Sequence, residues 1–152
     1  MDRFEEYKFF AESTQLLADR RQAATQVYLS VNTAIFALIA FLLKDAGLEG
    51  RLLAFLTLPL FAVGVFACVI WYKLIDRYKR LISWRYDQLM AMEKLLPDSF
   101  QMHSKEQMEF FAPHQNKERF GFSALEGWLP RVILALYIVY GGAFVIAKTL
   151  AP

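Results

Sequence analysis

The residues best equipped for chemistry form one polar stripe. Lys8, Glu12, Gln15, Asp19, Gln22, Gln26, Ser30, Thr33, Ala37, Ala40 and Lys44 follow one another at steps of three or four, so on a helix they share a face. No residue from Ala23 to Leu43 is charged. Within that run the face reads Gln26, Ser30, Thr33, Ala37 and Ala40, polar at one end and small at the other, with Asn32 to one side. A side-chain amide in hydrocarbon needs a partner. The face from Gln22 to Ala40 is therefore expected to meet protein, as glue between helices, or water, as the wall of a pore built from several copies.

Other groups offer less. His103 and His114 flank Glu106 and Glu109, but no HExxH or comparable ligand spacing exists, so no metal site is expected. The single cysteine, Cys68, excludes an intrachain disulfide and every CxxC motif, and its apolar surroundings predict low reactivity. No glycine-rich phosphate loop is present, and the apolar runs hold no carboxylate or histidine for a proton relay. No catalytic, cofactor-binding or metal residue is assigned, and an enzyme is not expected. Lys73, Arg77, Lys79 and Arg80 crowd together just after an apolar run. They are expected to contact anionic lipid headgroups, each contributing about 1 kcal/mol near the surface.

The elements that must carry these residues follow from the distribution of charge. The chain has 152 residues, 57% hydrophobic and 21% charged, a net charge of +2 and a mean hydropathy of +0.29. Disorder is excluded, because it needs low hydrophobicity and high net charge. A nucleic-acid partner is not expected without a strong basic excess. Three runs lack charge: Ala23–Leu43, Leu52–Tyr72 and Val132–Ala147. A helix of about 21 residues is about 31 Å long and crosses a bilayer's hydrocarbon core. The third run reaches that length if Trp128 and Leu129 precede it, Thr149 and Leu150 follow it, and Arg131 and Lys148 snorkel.

The predicted fold is an all-α membrane protein with three transmembrane helices, the first two forming a long antiparallel hairpin. Residues 23–43, 52–72 and 128–150 are the spans, and residues 44–51, KDAGLEGR, form the outer loop. Each hairpin helix is expected to continue past the bilayer. Residues 1–22 extend the first helix, and residues 73–96 extend the second, with Ile75, Tyr78, Ile82, Tyr86, Leu89, Met92 and Leu96 at helical steps before Pro97. Pro59 is expected to kink the second span.

Residues 97–127 are rich in Phe, namely Phe100, Phe110, Phe111, Phe120 and Phe122, and read as a lid or partner-docking segment. Ser104 with Gln107 and Ser123 with Glu126 are capping-box signatures for helix starts.

Of the 17 Lys and Arg, four precede the first span and nine lie between Lys73 and Arg119. The positive-inside rule then puts the N-terminus and the central segment in the cytoplasm and the C-terminus outside. A cleaved signal peptide is not expected, because the segment before Ala23 is dense in both signs of charge. Small residues on the later spans, Gly64 with Cys68 and Gly142 with Ala143 and Ala147, are candidate packing positions for a homo-oligomer. Gly64 and Cys68 could equally pack on the first helix.

Tyr7–Lys8, the DRRQ element Asp19–Gln22 and the YLSVN element Tyr28–Asn32 resemble those of small bacterial membrane proteins of the defence-associated kind, as does IDRYKRLISWRYDQL from Ile75 to Leu89. More distantly the chain resembles the SLATT class of bacterial conflict effectors, which typically carry two spans. That resemblance implies an inner-membrane protein that oligomerises or forms pores. Residues and resemblance together lead to one expectation: an oligomeric inner-membrane protein that forms or gates a membrane pathway as a defence or toxic effector. The competing reading is a non-conducting anchor or scaffold for a soluble cytoplasmic partner.

Overall fold

The computed structural model describes residues 2–44, 47, 50–96, 99–106, 108–109 and 122–150, with the backbone alone at 50, 122–126, 148 and 150. Four helices appear among them: α1 (Arg3–Lys44), α2 (Gly50–Glu93), α3 (Met102–Glu106) and α4 (Phe122–Leu150). α1, α2 and α4 are each long and apolar enough to cross a membrane. α2 stays helical through Pro59, which has no N–H to offer the carbonyl one turn earlier. Gly47, between α1 and α2, has φ of 59°, a left-handed conformation that glycine adopts without a side-chain clash.

The described residues divide into two compact units. The first comprises residues 1–23 and 75–125, the second residues 24–74 and 126–152.

In the second unit the first two helices pair antiparallel: Tyr28 stacks on Trp71 at 5.9 Å, and the Cys68 thiol reaches Asn32. Ile35, Ile39, Phe61, Cys68 and Tyr137 form its buried cluster. Tyr137 comes from α4 and seats its ring against Gly64, where an added Cβ would collide with it. Phe36 stacks on the same ring at 4.3 Å, and Phe61 meets it edge-on at 6.4 Å. Glycine at 64 thus creates the slot that lets the third span approach the hairpin.

In the first unit the ends of α1 and α2 also run antiparallel. Arg85 Nη1 donates to Ser13 Oγ at 2.8 Å, and its guanidinium lies 5.2 Å from the Phe10 ring. Ile75, Ile82 and Leu89 are buried at seven-residue steps, as the helical pattern predicts. Tyr86 and Trp84, by contrast, are exposed. α2 stops at Glu93 in a turn over Lys94–Leu96, closed by the Leu95 amide donating to the Met92 carbonyl at 3.0 Å. Pro97, the expected stop, lies outside the described residues.

Candidate functional site

The polar stripe divides into exposed and buried members. Gln22, Gln26, Ser30, Thr33, Ala37 and Ala40 are all exposed on α1. Their face is turned away from the chain's own core, and Thr33 satisfies its hydroxyl internally by donating to the Leu29 carbonyl at 2.9 Å. Asn32 behaves differently. It is fully buried, its Nδ2 donates to the Tyr28 carbonyl at 2.7 Å, and its Oδ1 accepts from the Cys68 thiol at 3.4 Å. The Tyr137 hydroxyl donates to its backbone carbonyl at 3.4 Å. Asn32 therefore leaves the candidate pore face: it holds this chain's own three helices together.

The small residues divide the same way. Gly64 and Cys68 are buried against α4 and α1, so their packing is intramolecular and the expectation of an oligomer contact there is corrected. The reason is steric: the space Gly64 leaves is filled by Tyr137. Gly142, Ala143 and Ala147 are exposed on α4, and among the described residues nothing lies within 4 Å of a Cβ built on Gly142. Lys73, Arg77, Lys79 and Arg80 are exposed too, with Arg80 paired to Asp76 at 2.6 Å. That pair is solvated and contributes at most about 1 kcal/mol.

The first unit holds a site that sequence reasoning missed. The Glu93 side chain, 2% exposed, accepts four hydrogen bonds. Tyr7 donates its hydroxyl to Oε1 at 3.0 Å, and the His103 amide donates to the same oxygen at 3.0 Å. The Ser104 amide and hydroxyl both donate to Oε2 at 3.1 Å. The carboxylate at the end of α2 thus satisfies the second and third amides of α3, the task of an N-cap, and ties α1 to the same point. Burial alone pushes the Glu93 carboxyl up, but the four donors outweigh it and hold it below the usual carboxylate range. Tyr7 is pushed up to about 12, first by burial and then by its bond and proximity to Glu93.

Ser104 does not start a helix as its capping-box signature predicts. It is the third residue of α3, because Glu93 supplies the cap from elsewhere. Gln107 lies outside the described residues, as do Phe110, Phe111, Phe120 and His114. α4 begins at Phe122, one residue before Ser123; the side chains of Phe122, Ser123 and Glu126 lie outside the described set. His103 sits between two rings, 6.5 Å from Tyr7 and 5.8 Å from Tyr86, with Nδ1 3.8 Å from Glu106. A signal for the Glu93 site did exist: Ile82, Leu89 and Glu93 continue one buried seam, and a carboxylate on such a seam needs donors.

The chain matches no curated protein and no solved structure. The match to a family model runs from residue 4 to residue 146 and takes in both units. Together with three helices able to cross a bilayer, it makes this chain a membrane protein that belongs to the octameric membrane protein family, 8xMP.

Proposed function

We propose that the protein assembles as a homo-octamer in the bacterial inner membrane and forms or gates a membrane pathway, without enzymatic activity. The observation that carries this reading is the contrast on α1: Asn32 is sealed inside the chain, while Gln22, Gln26, Ser30, Thr33, Ala37 and Ala40 are left uncovered along one face. Lipid cannot satisfy the Gln26 amide, so a neighbouring copy or water must. The family's octameric description supports a neighbouring copy.

Simple geometry supports water. Eight helices spaced about 10 Å apart in a ring sit about 13 Å from its axis and enclose a lumen of roughly 8 Å radius. Gly142, Ala143 and Ala147 on α4 offer the close-packing surface between copies. With the N-terminus and the basic central segment cytoplasmic, the first unit would receive the signal. A defence or toxic role agrees with the resemblance of the α1 motifs.

The test is ion flux from liposomes together with particle mass. Gln26→Leu and Ser30→Leu should leave each chain folded and change flux at least tenfold. Octamers that leak under no condition, with both variants fully active in cells, would remove the pathway.

A scaffold reading is favoured by one observation. The first unit carries an open apolar groove of about 450 Å3 lined by Glu6, Phe9, Phe10, Trp84, Gln88 and Met92, in which Phe9 is 66% exposed. Specific loss of a soluble partner on Trp84→Ala, with flux unchanged, would favour it.

A further inference from the structure

We propose that Arg131, Tyr72 and Trp128 form a seat for the phosphate of an anionic lipid headgroup. All three lie in the second unit. Tyr72 is the last residue of the uncharged run on α2, and Arg131 immediately precedes the uncharged run on α4. Both therefore stand where hydrocarbon gives way to headgroups, the level at which lipid phosphates lie.

The guanidinium there is held rather than loose. Arg131 Nη2 donates to Tyr72 Oη at 2.9 Å, and the guanidinium carbon lies 4.9 Å from the Tyr72 ring centre and 5.9 Å from that of Trp128. Two aromatic faces fix its plane at little entropic cost and leave its charge uncancelled.

The donors that remain suit a phosphate. Arg131 carries five N–H groups and gives one to Tyr72. Because the Tyr72 oxygen accepts that bond, its own hydroxyl proton is left to be donated outward. The Trp128 indole adds another donor on a side chain that is 59% exposed. Planar, paired N–H groups match two phosphate oxygens, and the neighbouring Lys73 adds positive potential. The same charges repel a choline ammonium, so a net-anionic headgroup is preferred over a zwitterionic one.

The assay is native mass spectrometry of full-length protein extracted from equimolar phosphatidylglycerol and phosphatidylcholine vesicles, counting lipid that stays bound. This reads seated lipid, not lipid drawn loosely to the basic surface. The expected result is enrichment of phosphatidylglycerol that falls about fivefold to tenfold in Arg131→Gln. Tyr72→Phe, which removes one hydroxyl and keeps the ring, should lower it about twofold to threefold, and this variant stands if Arg131→Gln does not fold. Lys94→Gln, an exposed lysine outside the basic cluster that follows Tyr72, should change it less than twofold. The proposal is overturned if Arg131→Gln, or Tyr72→Phe standing in for it, keeps the enrichment, or if Lys94→Gln loses as much as Arg131→Gln. It is also overturned if millimolar inorganic phosphate displaces the lipid, since the seat would then serve a free anion.

Discussion

Replacing Glu93 by Gln keeps the shape of the side chain and removes its charge, so it tests the joint between α1, α2 and α3 directly. In the native chain Oε1 accepts from Tyr7 and the His103 amide, and Oε2 accepts from the Ser104 amide and hydroxyl. With an amide nitrogen in place of Oε2, the Ser104 hydroxyl can rotate and accept, but the Ser104 backbone N–H faces another donor. One charge-assisted bond is lost and a buried amide is left unpaired, at a cost of about 1.5–3 kcal/mol. Placing the nitrogen at Oε1 instead strands the His103 amide, at a similar cost. Hydrogen exchange reads this locally: opening of the His103 and Ser104 amides should become roughly 10- to 150-fold more frequent, while amides in the middle of α4 stay unchanged. Acid should reproduce the effect in the native protein. Because the folded-state pKa of Glu93 lies below the ordinary value of 4.5, its contribution is fully present above that value and is lost as pH falls through the lowered one. Exchange at His103 and Ser104 that differs by less than twofold between native protein and variant at neutral pH would refute the capping argument.

Four further outcomes follow from the second unit. Gly64→Ala forces Tyr137 from a slot closed by Phe36 and Phe61 and should cost about 1–3 kcal/mol in thermal unfolding in detergent. Gly142→Ala meets nothing within 4 Å among the described residues, so any effect it has should appear in particle mass and not in subunit melting. Asn32→Leu breaks the contact with Cys68 and should lower stability by about 1–2 kcal/mol, measurable by denaturant titration in micelles. Cys68, the single cysteine and 1% exposed, should react with a maleimide at least a hundredfold more slowly than in unfolded chain; Gly64→Ala should speed that reaction.

The architecture was legible because charge is excluded from hydrocarbon. The uncharged runs from Ala23 and Leu52 lie inside α1 and α2, and that from Val132 lies inside α4. Buried Ile75, Ile82 and Leu89 confirm the periodicity that carried α2 onward to Glu93. Periodicity places a residue on a face but does not say what covers that face. Asn32 and Ser30 lie about 200° apart around one helix, so periodicity puts them on different faces, but only the fold shows that Tyr137 and Cys68 cover the face of Asn32 and leave that of Ser30 exposed. The partners of Asn32 lie 36 and 105 positions away. The Glu93 joint was hidden for the same reason: Tyr7 is 86 residues distant, and Ser104 carries a local capping signature that a remote carboxylate overrides.

The Tyr137 slot also carries a sense of time. Synthesis passes Cys68 about 70 residues before it reaches Tyr137, which at about 5–20 residues per second is roughly 4–14 s. During that interval the hairpin can already sit in the bilayer with the Gly64 groove open and the Asn32 carbonyl lacking its tyrosine. Until then the slot at Gly64 is unfilled, and arrival of the third span closes it with the Tyr137 ring.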